Sequence, residues 1–281
     1  MATDANLRGV YIPIITPFAE DGSVAIDALE MLCREYLDAG EKHAVIDACS
    51  TVCAERSAQL IVGAGTNNTR TTRQAVKELA GTPALVATLI VVPYYVRPSE
   101  AGIVAHLRAV AEVSPVPLVV YNIPARTGRN LSARNLYELA RSPNFAGVKQ
   151  APATLDDDTL ELVRLTNQVE GFAVLGGTDT FLFPLVVMGG TGTICASAHV
   201  CTERFVEMIE CGLAGKVDEG RAHAEALLPV TEALFTEPNP AVFKGVLQAQ
   251  GRIPTADVRL PLLNASPDAV QCALDAVTAA S

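Results

Sequence analysis

The chain has 281 residues, of which 49% are hydrophobic and 5% aromatic, and it contains no tryptophan. A chain of this length can bury a large core, which must here be mainly aliphatic, within one barrel-sized domain. The formal net charge of -10 argues against nucleic acid or an anionic membrane as a partner, because both would repel an acidic surface.

Strand-like apolar runs alternate with helix-like periodic segments, which is typical of βα units around a parallel sheet. The predicted strands are 10–15, 60–62, 84–91, 118–121, 145–148, 172–175 and 193–196. The predicted helices are 26–39, 41–57, 68–80, 99–113, 132–141, 154–167, 178–188 and 202–214. The remainder, 217–281, is predicted to form further helices interrupted by prolines.

This alternation contains eight helices but only seven strands. Helix 26–39 ends at Gly40 and helix 41–57 begins at Glu41, so no residues remain for the strand between them. The absent piece would be a strand and its two loops, on the order of fifteen to twenty residues. Because an open seven-stranded barrel would expose two unpaired edges, we favour a segment dropped from the chain at Gly40/Glu41. An ordinary peptide bond there, with Cα atoms about 3.8 Å apart, would contradict this hypothesis.

The amino terminus and the cysteines carry no targeting or metal-binding signal. The first apolar run is broken by Pro13 and Pro17, which fits neither a signal peptide nor a membrane span, so we expect a cytoplasmic protein. The seven cysteines include no C-x-x-C pair and do not cluster with histidine. This disfavours a disulfide framework or a zinc site, and we expect no metal.

Lys149 follows the apolar run 145–148, where a lysine is unusual because its ammonium is costly to desolvate. A lysine whose pKa is lowered by an apolar pocket is a Schiff-base nucleophile towards a ketone. An imine on lysine supplies its own electron sink, so we expect no organic cofactor. The alternative is a lysine that extends its amine to solvent or forms a structural ion pair.

Two further residues lie near the same predicted end of the sheet. Tyr121 ends the preceding strand, where its phenol can transfer protons during imine formation. Arg126, in the loop that follows, can bind a substrate carboxylate through two hydrogen bonds. The alternatives are a core tyrosine with a solvated hydroxyl and a loop arginine paired with a surface carboxylate.

The segment 92–99 places two tyrosines between prolines, which suits an interface or a pocket lid. It leads into a helix capped by Ser99.

These motifs resemble the dihydrodipicolinate synthase and N-acetylneuraminate lyase family of pyruvate-dependent aldolases, over nearly the whole chain. The Tyr121 block joined to Lys149 is the most specific part of the likeness. The matching segments are Ile15-Thr16-Pro17-Phe18, Pro93-Tyr94-Tyr95 with Arg97-Pro98-Ser99, Tyr121 to Gly128, Gly147-Val148-Lys149 and Glu237-Pro238-Asn239-Pro240.

The resemblance implies an α/β fold, a (β/α)8 TIM barrel over 1–214 with a C-terminal helical extension over 215–281 of the same structural unit. It implies a homotetramer made of two dimers, acting on a small keto acid and an aldehyde. It further implies an imine between Lys149 and pyruvate, with Tyr121 relaying protons. Tyr95 would cross the dimer interface into the neighbouring site, and the backbone of Ile194 would lie against the keto acid.

Within the family, the arginine at 126 is typical of the branch that condenses pyruvate with L-aspartate semialdehyde to form 4-hydroxy-tetrahydrodipicolinate. Cleavage of N-acetylneuraminate or of a 2-keto-3-deoxy sugar acid remains the alternative within the family. The family's Gly-Thr-Thr-Gly-Glu segment, whose threonines bind the pyruvate carboxylate, is absent from the chain, and its expected place is the Gly40/Glu41 junction. A catalytically silent barrel that serves as a scaffold or keto-acid binder is therefore a further alternative.

Overall fold

The computed structural model describes residues 6–36 and 44–280, and within them seven parallel strands form one sheet. The strands are β1 (Gly9–Tyr11), β2 (Leu60–Gly63), β3 (Leu85–Val91), β4 (Leu118–Asn122), β5 (Phe145–Gln150), β6 (Ala173–Gly176) and β7 (Gly192–Ile194). Their spatial order is β1-β7-β6-β5-β4-β3-β2. The first strand therefore lies beside the last, so the sheet curls as in a (β/α)8 barrel.

Helices connect the strands and continue beyond the last one. Those of the barrel are α1 (Ile26–Tyr36), α2 (Ala44–Glu55), α3 (Thr69–Lys77), α4 (Glu100–Ala111), α5 (Pro124–Thr127), α6 (Ala133–Ala140), α7 (Asp157–Thr166), α8 (Leu182–Val187) and α9 (Thr202–Leu213). Those that follow are α10 (Val217–Leu234), α11 (Ala241–Ala249) and α12 (Pro267–Ala280). The side chain of Ser99 accepts a hydrogen bond from Gly102 N, so the predicted cap of α4 is confirmed.

Several predicted boundaries were wrong, and three of the differences have a local cause or move a residue of interest. Strand β1 ends at Tyr11 rather than residue 15, because Pro13 has no N–H to donate to a ladder. Strand β5 continues to Gln150, so Lys149 lies within the strand and not after it. The predicted helix 178–188 consists of a 3-10 turn over Asp179–Phe181 followed by α8.

Strands β1 and β2 are the two edges of the described sheet, and α1 and α2 precede β2 without a described strand between them. The Gly40/Glu41 junction, where we predicted a missing strand, lies outside the described residues. The phenol of Tyr11 on β1 donates a hydrogen bond of 2.5 Å to Oε1 of Gln59, directly before β2. This side-chain hydrogen bond thus joins β1 to β2, the two edge strands between which an eighth barrel strand would pair.

The core is aliphatic, as the composition predicted. Residues from five strands fill the interior of the curled sheet: Ala87, Val119, Ala146, Ala173, Leu175 and Ile194, together with Leu7. A larger layer of leucine, isoleucine and valine packs between the strands and the helices. Each fully buried side chain of this kind contributes roughly 1.5–3 kcal/mol through removal of apolar surface from water. In the described ranges, no helix has the length and apolar character needed to cross a membrane.

Candidate active site

Lys149 and Tyr121 face each other on neighbouring strands. In the parallel ladder between β4 and β5, Tyr121 is paired with Lys149. The lysine Nζ lies 4.4 Å from the centroid of the tyrosine ring, which is the geometry of a cation–π contact. The structure therefore brings together the first two residues that the sequence singled out.

The pKa of the Lys149 amine is well below that of an ordinary lysine. Its side chain is buried, with 7% exposure. Burial lowers the pKa of Lys149 to about 8, because the charged form loses its hydration; Asp179 and Cys195 act in the opposite direction. Burial also raises the pKa of the Tyr121 phenol, while Arg126 partly offsets this shift. At neutral pH the tyrosine thus keeps its proton beside an amine that can readily lose one.

Gly177, directly after β6, leaves room for the lysine side chain. A β-carbon at this residue would lie 2.8 Å from Cγ and 2.9 Å from Cε of Lys149. Contacts below 3.0 Å are closer than carbon atoms can approach, so only glycine fits without displacing the lysine. Gly177 was not predicted from the sequence, although its place at the carboxyl end of a barrel strand was a signal.

Asp179 is a second residue near Lys149 that was not predicted from the sequence. Its carboxylate accepts a hydrogen bond of 2.7 Å from Ser197 N, which ties the loop after β6 to the loop after β7. Burial raises the pKa of Asp179, and the hydrogen bonds of Ser197 and the charge of Lys149 oppose this shift. Asp179 is thus a fixed acidic group that acts electrostatically on the amine.

Arg126 lies in α5, a single helical turn that ends where Gly128 adopts φ 71. It lines a cavity of about 450 Å³ at the carboxyl end of the strands. The lining residues are Ile123, Ala125, Arg126, Ala151, Pro152, Ala153, Gly177, Thr178, Asp179, Thr180, Thr231, Glu232 and Phe235. Lys149 and Tyr121 are not among these lining residues, but the stem of Lys149 lies against Gly177, which is one of them. Helix α10 contributes Thr231, Glu232 and Phe235 to the lining. Arg126 is the one cationic residue among the described residues that line the cavity, so it is the residue there that could bind a carboxylate.

The structure does not bring Tyr95 or Ile194 to this cavity. Tyr95 is 87% exposed and has a φ of 69, a strained value for a residue other than glycine. Ile194 ends β7, and its side chain packs in the interior cluster of the barrel. The roles that the resemblance implies for both residues therefore stay predictions.

Comparisons with known proteins show which family the chain belongs to. The model of the Dihydrodipicolinate synthetase family matches residues 41–280 of the chain, so the match begins directly after the Gly40/Glu41 junction. The chain is 33% identical over 277 residues to the 4-hydroxy-tetrahydrodipicolinate synthase of Neisseria gonorrhoeae, covering 92% of this chain and 93% of that protein. It is 39% identical over 207 residues to the enzyme of the same name from Listeria welshimeri, covering 74% and 69%.

Solved structures give the same result. A crystal structure of dihydrodipicolinate synthase from Thermotoga maritima superposes with a TM-score of 0.90 at 30% identity, covering 98% of both chains. A monomeric dihydrodipicolinate synthase variant superposes with a TM-score of 0.90 at 29% identity, covering 99% and 98%. The chain therefore belongs to the dihydrodipicolinate synthetase family of pyruvate-dependent lyases.

Proposed function

We propose that the chain is a class I lyase that condenses pyruvate with L-aspartate semialdehyde, as a 4-hydroxy-tetrahydrodipicolinate synthase. The observation that carries the proposal is the buried Lys149 amine, with its pKa of about 8, 4.4 Å from the centroid of the Tyr121 ring. At pH 7 about a tenth of such amines are neutral and able to attack a ketone. The product would enter lysine biosynthesis in the cytoplasm.

In the proposed reaction, Nζ of Lys149 attacks C2 of pyruvate and forms a carbinolamine. Tyr121, whose phenol keeps its proton, donates that proton as the hydroxyl group leaves as water, and the nitrogen lone pair forms the C=N bond. The Tyr121 phenolate then takes a proton from C3 to give an enamine, whose carbon attacks the aldehyde, and the phenol returns this proton to the aldehyde oxygen. The amino group of the aldehyde substrate, once neutral, attacks the imine carbon and displaces Lys149, which closes the ring, so that one water is released in each cycle.

Arg126 supports the choice of aldehyde. Arg126 lines the same cavity as Gly177, the residue in contact with Lys149, and two parallel hydrogen bonds from its guanidinium would bind a carboxylate there. The acidic wall of Asp179 and Glu232 suits the ammonium group of an amino-acid aldehyde. A 2-keto-3-deoxy sugar acid, by contrast, carries several hydroxyl groups and no ammonium.

Borohydride trapping tests the proposal. The protein is incubated with pyruvate, reduced and digested, and the mass of the peptide containing Lys149 is measured. We expect a pyruvate adduct on Lys149 and none in Lys149→Arg, which keeps the charge and removes the nucleophilic amine. Assays with aspartate semialdehyde, N-acetylneuraminate and a 2-keto-3-deoxy sugar acid then separate the synthase from the aldolase alternative.

The silent scaffold is the second candidate, because the chain lacks the Gly-Thr-Thr-Gly-Glu segment and the family match begins at residue 41. A folded protein that gives no adduct would favour it. The presence of Lys149, Tyr121 and Arg126 at one end of the barrel argues against it, since a structural barrel needs none of them there.

We also propose that Tyr95 completes the site of a second copy in a homotetramer. Tyr94, Tyr95 and Val96 are 41%, 87% and 57% exposed, an apolar surface that suits an interface. We expect Tyr95→Phe and Lys149→Arg each to be inactive alone, and mixing the two variants tests this proposal. In mixed oligomers one site would contain an intact Lys149 and a partner Tyr95, so activity should return; if each site uses its own Tyr95, the mixture stays inactive.

A further inference from the structure

Asn122 and Gln150 are hydrogen-bonded neighbours that directly follow Tyr121 and Lys149. They are 0% and 1% exposed, and Asn122 Nδ2 donates a hydrogen bond of 2.9 Å to Gln150 Oε1. Because side chains alternate along a strand, these two amides lie on the face of the sheet opposite the amine and the phenol. Their contact therefore connects the same two strand ends from the outside.

Each amide is also anchored to the layer of helices. Gln150 Nε2 donates to Thr159 Oγ1 at 3.0 Å, and Thr159 donates in turn to Asp156, the N-cap of α7, at 2.6 Å. The Asn122 side chain exchanges hydrogen bonds with the backbone of Leu131, at 3.1 and 3.2 Å. A further bond of 2.8 Å joins it to Asn130 Oδ1. Each hydrogen bond inside such a buried network restricts the orientation of its neighbours.

The register between β4 and β5 changes along the ladder. Leu118 is paired with Phe145, but Val119 is paired with Gly147, so the register shifts by one residue at the start of the ladder. A slip of one residue turns every side chain to the opposite face of the sheet. In the shifted part of the ladder, Tyr121 meets Lys149 and Asn122 meets Gln150. The amide contact between residues 122 and 150 is satisfied only in this register.

We infer that Asn122 and Gln150 form an amide clamp that positions Tyr121 against Lys149 for imine formation. Both are positioning residues, since they face away from the amine and act through the neighbouring residues. The inference rests on the proposed function, because the clamp affects the reaction only if Lys149 forms the imine.

Two substitutions of Gln150 separate the hydrogen bond from the size of the side chain. Gln150→Met has a similar length but no strong acceptor for Asn122 and no donor to Thr159, whereas Gln150→Glu lacks the same donor and keeps an acceptor at the same distance. Thr166→Val is the control, because Thr166 is also buried and donates to Leu162 O at 2.8 Å, within α7 and outside the clamp. The rate of borohydride-trapped adduct on Lys149 is measured against pyruvate concentration.

We expect Gln150→Met to lower the saturating trapping rate about tenfold and to leave the half-saturating pyruvate concentration within about twofold. Gln150→Glu should recover to within about threefold of the parent rate, and Thr166→Val should match the parent. A parental rate in folded Gln150→Met overturns the inference. An equal loss in Gln150→Glu overturns it as well, since the acceptor would then not matter.

If Gln150→Met does not fold, Thr159→Val replaces it, because this substitution keeps the shape and removes the outer anchor of Gln150 together with the hydroxyl bond to Asp156, while the backbone N–H of residue 159 still donates to Asp156. A rate loss of about two- to fivefold supports the clamp, and a parental rate contradicts it.

If the unsubstituted protein gives no adduct, the proposed function fails while the clamp stays testable by hydrogen–deuterium exchange. Exchange at the ends of β4 and β5 should then be at least about threefold faster in Gln150→Met than in Thr166→Val, because lost restraints lower the local opening free energy. Equal exchange in the two variants would exclude the clamp.

Discussion

Gly177 lies against the aliphatic stem of Lys149, so that a β-carbon at residue 177 would be 2.8 Å from Cγ and 2.9 Å from Cε of the lysine. The same β-carbon would be 3.0 Å from Cβ of Ala151. The lysine stem therefore occupies a narrow space between the ends of β5 and β6, and its amine has little freedom to move away from Tyr121.

Gly177→Ala should reduce adduct formation on Lys149 by at least about tenfold, because the added methyl group displaces the lysine from its place. Gly63→Ala is the matched control, since the nearest atom to a β-carbon there is 4.0 Å away. Borohydride trapping with quantitative mass spectrometry measures both variants. Equal adduct yields in the two would show that the close packing at Gly177 does not position the amine.

Asp179→Asn should lower the pKa of Lys149 below its value of about 8. The Asp179 carboxylate raises this pKa by stabilising the ammonium, so its removal favours the neutral amine. The asparagine oxygen still accepts from Ser197 N, which keeps the loop in place. We expect the acidic limb of the trapping rate to move to lower pH.

The control for this experiment is Glu161→Gln, which removes an exposed carboxylate paired with Arg164. Its pH profile should coincide with that of the parent. An unmoved profile in Asp179→Asn would mean that Asp179 carries no charge in the folded protein.

His199 should make the protein less stable in acid. It is fully buried, accepts a hydrogen bond from Ile15 N at 3.1 Å through Nε2, and its Nδ1 lies 2.7 Å from Ala196 O. Burial lowers the pKa of His199 to about 4, whereas an unfolded histidine titrates near 6.5. Protonation therefore favours the unfolded chain, and stability falls as the pH drops from about 6.5 towards 4, by up to about 3 kcal/mol.

Urea unfolding at pH 7 and pH 5 measures this effect in the parent and in His199→Gln. The variant should lose less free energy of unfolding between the two pH values than the parent, even though it is less stable at pH 7. An identical pH dependence would indicate that other groups cause the loss.

The ring of Phe18 should stabilise the contact between the start of the barrel and the C-terminal helices. Lys244 Nζ lies 3.9 Å and Arg259 Cζ 4.3 Å from the centroid of this ring. Lys244 is 2% exposed, and burial lowers its pKa to about 8. Phe18→Leu removes a cation–π surface from a poorly hydrated ammonium, so its cost exceeds that of lost volume alone.

Phe172→Leu is the control, because Phe172 is similarly buried in the main apolar layer. We expect Phe18→Leu to cost about 1 kcal/mol more in free energy of unfolding than Phe172→Leu. Equal losses in urea unfolding would indicate that the two cations contribute nothing through the ring.

The alternating pattern of the sequence predicted the parallel barrel, and it did so because backbone geometry makes strand and helix periods visible in any local window. The motif around Tyr121 and Lys149 predicted that these two residues lie close together, since adjacent parallel strands end at the same end of the barrel. The boundaries of β1 and of the segment after β6 were wrong, because a proline and a 3-10 turn decide them locally.

The sequence by itself determined the fold class, the aliphatic core and the pair of Lys149 with Tyr121, because these depend on local periodicity and strand order. Only the tertiary structure decided that Gly177 leaves room for the lysine, that Asp179 acts on its amine, and that Asn122 and Gln150 join the two strand ends. The physical reason is that these contacts form between loops and strand ends far apart in the chain, which meet only when the sheet curls into a barrel.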